Sequence, residues 1–544
     1  MFMPNKWILS WELPPQQLRF LIVTLLVLGI FFRFYNLDRK VYWHDEVYTS
    51  LRISGYTQAE VIQQVFNGRV ISRDELQKYQ RINSEKGVID TVKSLATDVS
   101  QHPPLYYVMA RFWVDWFGNS PAVTRSLSAL ISLLALPCFY WLCAELFETS
   151  LVGWLGISLL AISPFHVLYA QEARPYSLWT VTILLSSWAL LRAIRLSHQT
   201  RALKSKISTW VIYAATLALG FYSFIFTGLV AIGHGLYVVV VEGCRWTKVV
   251  KAYGLASLAG IIAFSPWILV IIHNWANLES TTGWTTVNPP PFFLIKIWGL
   301  HLSCIFVDFG FALEHPFTYL VPPVVLVSVG YSIYLLCRHT SPRIWLFITI
   351  LIGVTPLALM LPDLIWGGQR SGATRYLIPY LLGIQLAVAY LLAMQISGQM
   401  GAKQKLWQGI MIVLISVGVV SCAISSQAET WWNKVVGYYN PQIARSIDKS
   451  ERPLVISNTS DINIGDVISL SYLLDAQVRF QLVVDPNIPQ IPKGFSDVFL
   501  FYPSPSLQQG LEQKYKVKLA PVYQAGIVRL WKLPLKANQD IGIK

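Results

Sequence analysis

Long apolar stretches, separated by short polar loops, dominate the first 424 residues of this chain. A helix needs about 20 predominantly apolar residues to cross a bilayer, and each stretch reaches or approaches that length. We predict about eleven spans, near residues 18–37, 122–146, 151–169, 176–192, 208–224, 225–241, 252–272, 318–337, 344–361, 376–394 and 406–424. The alternative, a large soluble enzyme, is disfavoured because the chain is 54% hydrophobic and only 13% charged. Soluble domains carry about 25% charged residues.

Lysine and arginine are concentrated in a few of the loops. With eleven spans, the basic loops "LRAIRLSHQTRALKSKIS", "EGCRWTKVVK", "CRHTSPR" and "GAKQK" share one face with an N-terminus that carries Lys6 and Arg19. Basic loops are typical of the cytoplasmic side. The segments predicted to be extracytoplasmic are then 38–120, 170–175, 273–317, 362–375 and 425–544. We therefore interpret the net charge of +14 as loop charge that sets the orientation of the spans, and we expect the lipid bilayer, and no nucleic acid, as a partner.

The outer segments contain helices that do not fit the pattern of a span. Residues 44–66 and 74–97 are predicted to form two amphipathic helices. The stretch "HPPLYYVMARFWVDWFG" predicts a third helix at the membrane interface, although an ordinary short span is an open alternative. The stretch 291–310 is apolar but contains Lys296, His301 and Asp308, and counting it as a span would put the basic loop "CRHTSPR" on the wrong side. We therefore interpret it as a helix along the membrane surface.

The composition changes near residue 431, where short β-type segments replace long apolar runs. "PLVISN", "QLVVD", "DVFLFY" and "IVRLWKL" are typical of strands, with helical stretches near 463–474 and 505–515 between them. We therefore predict two domains. The first is an all-α polytopic membrane domain over 1–424, whose first outer loop is 38–120, and the second is a small extracytoplasmic α/β domain over 425–544.

The stretch "VYWHDEVYTS" places His44, Asp45 and Glu46 just beyond the first span. Charged side chains beside a bilayer are costly and indicate function. One interpretation is a general base that takes a proton from an acceptor hydroxyl at the water–lipid boundary. The other is a solvated helix N-terminus, where acidic residues complement the helix dipole.

Two further clusters lie at the same predicted level of the membrane. In "SPFHVLYAQEARPYS", Glu172 and Arg174 stand among apolar and aromatic neighbours. They either form an ion pair that holds the turn together, or Glu172 is a second acid that faces the same cavity as Asp45. In "GGQRSGATRYLIPY", Arg370 and Arg375 lie on the predicted outer side, where basic residues are unusual. Arginine binds phosphate oxygens well, so this loop suits a lipid phosphate; snorkelling arginines are the alternative.

Four motifs in order resemble the GT-C membrane glycosyltransferases, in the branch of protein O-mannosyltransferases and aminoarabinose transferases. They are the outer Asp-Glu after the first span, "HPPLYY", "AQEARPYSL" and "TRYLIPYL", and the resemblance covers about residues 18–400. It implies a GT-C-like fold of about eleven transmembrane helices. It also implies a polyprenyl-phosphate-linked monosaccharide as the donor and inversion at the anomeric carbon in a single displacement.

The resemblance assigns roles to individual residues. It implies that Asp45 is the catalytic base, that Glu46 completes the acidic pair, and that Glu172 helps bind or orient the substrates. Arg375 and Tyr376 match a late Arg-Tyr motif and are assigned to the phosphate side. His102 stands where some relatives have a lysine near the donor phosphate. No metal or other cofactor is expected to be required, although Asp45 and Glu172 can share a divalent cation.

The predicted function is transfer of a monosaccharide to an envelope acceptor, which is a hydroxyl of a lipid, glycan or protein. A transporter or flippase for a lipid-linked sugar is the main alternative, and a non-catalytic scaffold is another. Transporters place ionisable residues or broken helices at the bilayer midplane, whereas the acids here cluster at the predicted outer ends of the spans. The enzyme hypothesis requires Asp45 and Glu172 to approach one outer cavity with Arg375 nearby.

Overall fold

A computed structural model describes residues 13, 16–199, 203–397, 401–460 and 462–534. Residues 1–12, which include Lys6, and residues 535–544 are the ends of the two predicted domains and lie outside the described residues. The chain divides into two compact units. The helical unit comprises Met1–Tyr35, Gln101–Pro103 and Ser128–Ser426, and the sheet unit comprises Asn36–Ser100, Pro104–Leu127 and Gln427–Lys544.

The described residues form helices along most of the chain and strands mainly near its end. The α-helices are α1 (Gln16–Phe34), α2 (His44–Ile53), α3 (Gln58–Val65), α4 (Arg73–Gln77), α5 (Val88–Asp98), α6 (Leu105–Phe117), α7 (Pro121–Leu146), α8 (Ser150–Ala161), α9 (Pro164–Ala170), α10 (Tyr176–Ser197), α11 (Leu203–Ser223), α12 (Thr227–Val241), α13 (Lys248–His273), α14 (Trp275–Thr282), α15 (Pro291–Ser303), α16 (Phe317–His339), α17 (Pro342–Trp366), α18 (Ile378–Ile396), α19 (Ala402–Gln427), α20 (Asn440–Ile447), α21 (Asn463–Ser471) and α22 (Pro505–Tyr515). The strands are β1 (Asn67–Ser72), β2 (Pro453–Asn458), β3 (Arg479–Val483), β4 (Asp497–Phe501), β5 (Ala520–Ala525) and β6 (Ile527–Leu533). Short 3₁₀ helices lie at Lys78–Gln80, Gly283–Thr286, Arg370–Gly372, Thr374–Leu377 and Trp432–Tyr439.

Every predicted span is helical, although the span predicted over 151–169 forms two helices, α8 and α9. Fewer of these helices satisfy the length and apolarity of a membrane crossing. Within the described ranges, eight helices do so, or up to nine if the bent pair α8 and α9 counts as one span. The prediction of about eleven spans includes two helices beyond these nine, α11 and α12. Helix α12 has only 15 residues, and α11 carries two lysines in its first turn, which lowers its apolarity.

Two other apolar helices are too short to cross a bilayer. Helices α6 and α15 have 13 residues each, which is about 20 Å of helix against a hydrocarbon core of about 30 Å. Their lengths fit the interpretation of both as helices at the membrane surface and not the alternative of α6 as a span.

The bend between α8 and α9 is stabilised by a buried arginine from α1. The two helices meet at 57°, and such a break leaves carbonyl groups without helical partners. Arg33 donates hydrogen bonds to the carbonyls of Ala161 at 2.6 Å and Leu160 at 3.2 Å. Gly29 allows α1 to approach this point, because a Cβ there would lie 2.6 Å from the Ala161 oxygen. The bend turns the chain toward the segment that contains Glu172.

The sheet unit contains a six-stranded sheet in the order β1-β3-β2-β4-β6-β5. The three middle strands are parallel, and the other pairs are antiparallel. Strand β2 is buried along its whole length, as expected for a central strand covered on both faces. Helices α21 and α22 follow β2 and β4, so the C-terminal residues form an α/β arrangement.

The first outer loop contributes to this sheet. Strand β1 pairs with β3, so residues 67–72 join strands from beyond residue 450. The prediction of one helix over 44–66 is wrong, because the chain turns at Gly55 with φ +85°. Helix α3 then starts at a capping box formed by Thr57 and Glu60. The predicted helix over 74–97 is likewise divided, into α4 and α5.

Candidate functional site

Asp45 lies in the first turn of α2, within the sheet unit. Trp43 precedes the helix in an extended conformation and makes no side-chain cap. Acidic side chains in the first turn are favoured there by the helix dipole. Asp45 is half-buried and Glu46 is fully buried, so a solvated helix end does not describe Glu46.

Glu46 is held by two cations from distant parts of the chain. Arg125 binds it through two parallel hydrogen bonds, from Nε to Oε1 and from Nη2 to Oε2, each of 2.7 Å. The Nζ atom of Lys434 lies 3.1 Å from Oε2. Glu46 is 0% exposed and both cations are 1% exposed. Removing one partner from such a buried group costs about 3–5 kcal/mol, so Glu46 fixes the start of α2.

Three further polar side chains of α2, those of Tyr48, Ser50 and Arg52, have partners inside the sheet unit. Arg52 pairs with Asp98 at 2.5 Å, and the Tyr42 hydroxyl lies 2.6 Å from the Ser50 hydroxyl. Burial raises the pKa of Tyr48 to about 12, so its hydroxyl stays protonated and donates to Gln58 at 3.2 Å. These contacts make α2 a fixed support for Asp45.

In the helical unit, residues 171–175 form the turn between α9 and α10. Gln171 donates to the carbonyls of Phe32 at 2.7 Å and Tyr35 at 2.9 Å, which fastens the turn to the end of α1. The Arg174 amide donates to the Glu172 carbonyl at 2.8 Å. Glu172 is 1% exposed, so this acid is buried in the turn.

Tyr176, the first residue of α10, is the centre of a cluster of basic and aromatic side chains. The guanidinium carbons of Arg174 and Arg375 each lie 5.8 Å from the centre of its ring. Arg375 also lies 5.4 Å from the ring of Tyr376, and Arg174 lies 3.4 Å from the ring nitrogen Nε2 of His102. Cation–π contacts within about 6 Å are attractive. We call these five residues the Tyr176 cluster.

Arg370 occupies a different environment from Arg375. Its Nη1 atom donates to Asp363 Oδ1 at 2.9 Å and to the Gly367 carbonyl at 2.8 Å. The other oxygen of Asp363 accepts from the Ser371 amide and hydroxyl at 2.8 and 2.6 Å. Asp363 thus organises the loop that starts at Gly367 and Gly368, both of which have positive φ.

The structure therefore brings together four of the residues singled out in the sequence, His102, Arg174, Arg375 and Tyr376. Glu46 and Arg370 each have partners elsewhere, and Asp45 belongs to the sheet unit. The approach of Asp45 to Glu172 stays a prediction. Among the described residues, no group of three or more His, Cys, Asp or Glu side chains is arranged to hold a metal ion.

Sequence reasoning missed Tyr176, Arg125, Lys434 and Asp363. Tyr176 lies in the quoted "AQEARPYSL" motif, directly after Arg174 and Pro175, and an aromatic residue beside an arginine was an available signal. Arg125 and Lys434 lie 79 and 388 residues from Glu46, so no local pattern indicates their pairing with it.

Part of the chain matches a protein-family model. Residues 101–270 match the model of the dolichyl-phosphate-mannose-protein mannosyltransferase family. The matched residues are about a third of the chain, and they contain His102, Glu172, Arg174 and Tyr176.

Solved structures show the fold. ArnT from Cupriavidus metallidurans bound to undecaprenyl phosphate superimposes with a TM-score of 0.53 at 11% identity, over 95% of this chain and 98% of that chain. The apo state of the same protein gives a TM-score of 0.52 at 12% identity, over 94% of this chain and 97% of that chain. The Archaeoglobus fulgidus oligosaccharyltransferase in complex with Zn and sulfate gives 0.50 at 13% identity, over 85% of this chain and 62% of that chain. The chain therefore has the fold of the GT-C membrane glycosyltransferases, as the motifs imply.

A curated protein also matches part of the chain. LIFEGUARD 2 of Arabidopsis thaliana is 23% identical over 176 residues, which are 32% of this chain and 72% of that protein. An identity this low over a third of the chain carries no argument about function.

Proposed function

We propose that this protein is a membrane glycosyltransferase of the plasma (inner) membrane. It transfers a monosaccharide from a polyprenyl-phosphate donor to a hydroxyl of an envelope lipid, glycan or protein on the extracytoplasmic face. The observation that carries the proposal is the Tyr176 cluster, which lies on a GT-C fold and has three of its five members in the family-matched residues.

The Tyr176 cluster is the donor-phosphate side of the proposed site. Two guanidinium groups share one buried tyrosine ring, which concentrates two positive charges at one place and orients their planes. Arginine forms strong charge-assisted bonds with phosphate oxygens. His102 adds a third nitrogen donor beside Arg174 when it is protonated.

Asp45 is the general base of the proposed reaction. The acceptor hydroxyl oxygen attacks the anomeric carbon and forms the new glycosidic bond, while its proton passes to the Asp45 carboxylate. The bond between the anomeric carbon and the phosphate oxygen breaks, and its electron pair leaves with the polyprenyl phosphate. A single displacement of this kind inverts the anomeric configuration. The arginines stabilise the charge that develops on the leaving phosphate.

The two glutamates have different proposed roles. Glu172, buried in the turn before the cluster, orients the substrates beside Arg174. Glu46 is saturated by Arg125 and Lys434, so it acts by holding α2 in place. The reaction needs no metal ion in this proposal, and a divalent ion shared by Asp45 and Glu172 is tested by adding a chelator to the transfer assay.

The donor side is tested by binding of undecaprenyl phosphate alone to the purified protein. Arg375→Gln and Arg174→Gln each remove one charge-assisted contact, worth about 1.5–3 kcal/mol, so affinity is expected to fall about 10- to 100-fold. Arg338→Gln, in an exposed part of the last turn of α16, is the matched control and binds as the wild type does. Unchanged binding by both cluster variants contradicts the assignment.

A flippase for a lipid-linked sugar is a second candidate because the span formed by α8 and α9 is broken. Broken helices line the substrate sites of many transporters. Here Arg33 already binds the carbonyls released by the break, which favours a structural bend. Movement of labelled lipid between leaflets without consumption of sugar would establish the flippase instead.

A further inference from the structure

We propose that Lys434 is a positioning residue for the catalytic helix α2, acting through Glu46. The inference rests on the proposed function, because it assigns Lys434 a task in placing Asp45. The C-terminal segment that supplies Lys434 then takes part in the reaction indirectly, by placing Asp45.

Lys434 contacts both sides of Asp45 along the chain. Lys434 binds the Oε2 atom of Glu46 at 3.1 Å, and its ammonium group lies 5.6 Å from the ring centre of Trp43. It therefore contacts the residues at positions −2 and +1 relative to Asp45. Because Glu46 and Asp45 are peptide neighbours in one helical turn, a shift of the Glu46 carboxylate moves the Asp45 backbone as well.

The chain that enters α2 is fixed at the same place. Arg125, the other partner of Glu46, donates to the carbonyls of Leu37 at 2.6 Å, Lys40 at 2.9 Å and Val41 at 2.9 Å. The Val41 amide donates to the Glu429 carbonyl at 2.8 Å. The approach to α2 is thus fastened to the same C-terminal segment that supplies Lys434.

Two C-terminal glycines pack closely on the start of α2. A Cβ at Gly465, in α21, would lie 2.6 Å from the ring nitrogen Nδ1 of His44 and 2.8 Å from Tyr48. A Cβ at Gly437 would lie 3.3 Å from the Cβ of Trp43. Two glycines therefore allow the C-terminal segments to touch the residues on either side of Asp45.

A general base must be held within a fraction of an ångström of the acceptor, and a displacement of about 1 Å costs as much as 100-fold in rate. Loss of the Lys434 contact removes one of the two cations that hold the Glu46 carboxylate, so the first turn of α2 is expected to shift. The donor-binding Tyr176 cluster belongs to the helical unit and keeps all of its own residues. A positioning role therefore predicts a loss in kcat with little change in the KM for the donor.

The test compares Lys434→Met with Lys449→Met in the full-length protein. Lys449 is an exposed lysine of the same C-terminal segment, so it controls for loss of one positive charge. We expect Lys434→Met to lower kcat at least tenfold with the donor KM within about twofold of wild type, and Lys449→Met to behave as wild type. Glu46→Gln and the double variant complete a cycle in which the two losses are not additive, because both residues act through one contact.

Gly465→Ala is a second variant that displaces α2 without removing a charge. If Lys434→Met does not fold, as judged by thermal unfolding in detergent, this variant carries the test and is expected to show the same loss in kcat at constant KM. Wild-type kcat in Lys434→Met or in Gly465→Ala overturns the positioning role while the transferase proposal stands. Absence of sugar transfer by the wild type itself, with every donor, overturns the proposed function and the inference with it.

Discussion

Replacing Asp466 by asparagine is expected to stabilise the sheet unit at neutral pH and to leave it almost unchanged near pH 4. Asp466 is fully buried in the first turn of α21. Its Oδ1 atom accepts a hydrogen bond from Asn440 at 2.8 Å. Burial raises the pKa of this carboxyl from 3.8 to about 7, although Asn440 and Arg529 oppose the rise.

The direction of the pH effect follows from proton uptake. Between pH 3.8 and about 7, the folded protein keeps a proton on Asp466 that the unfolded chain releases. Stability therefore falls as pH rises through this window, and the full penalty is present above it. A shift of about three units corresponds to ~4 kcal/mol. Asparagine keeps the hydrogen bond geometry without ionising, so it removes that penalty.

The assay is thermal unfolding of the purified protein in detergent between pH 4 and 8. The melting temperature of Asp466→Asn is expected to exceed that of the wild type by several degrees at pH 8 and to match it near pH 4. Asp485→Asn is a control whose melting temperature should depend on pH in the opposite direction, because hydrogen bonds from Ser504 and Ser506 lower the pKa of Asp485. It loses stability at neutral pH and recovers toward acid pH. A difference for Asp466→Asn that is independent of pH refutes the reasoning.

Two further predictions concern the helical unit. Gly29→Ala places a Cβ 2.6 Å from the backbone oxygen of Ala161, so it should destabilise the protein by about 1–3 kcal/mol. Gly254→Ala, at a position with open space around it, is the control and should not, and equal melting temperatures of the two variants would contradict the close approach of α1 to Ala161. Asp363→Asn weakens the ion pair with Arg370 and the bonds to Ser371, so amides 367–372 should exchange hydrogen faster, and unchanged exchange would show that Asp363 does not order the loop.

The helices of this fold were predictable from the sequence because each long apolar segment must satisfy its own backbone hydrogen bonds in lipid. The predicted span count is not confirmed at α11 and α12, where length and charge fall near the limit for a crossing. Strand β1 was missed because six residues between two short helices carry too little pattern, and its partner β3 lies about 400 residues away.

The candidate site shows the same division between local and long-range information. Arg174 and Arg375 stood out as charges in apolar surroundings, and the structure brings them together on Tyr176. Glu46 also stood out, but its burial between Arg125 and Lys434 depends on contacts across 79 and 388 residues. A charged residue beside an apolar segment is recognisable in the sequence, whereas the residue that neutralises it is not.

The central claim, that Asp45 is the base of a sugar transfer, is tested most directly in membrane vesicles of known sidedness. A panel of labelled polyprenyl-phosphate sugars is offered to the wild type, to Asp45→Asn and to Asp74→Asn, an exposed acid of the same unit. We expect the wild type and Asp74→Asn to consume one sugar. We expect a rate about 10²- to 10⁴-fold lower in Asp45→Asn, the usual contribution of a general base. Transfer by Asp45→Asn at the wild-type rate would show that Asp45 is not the base.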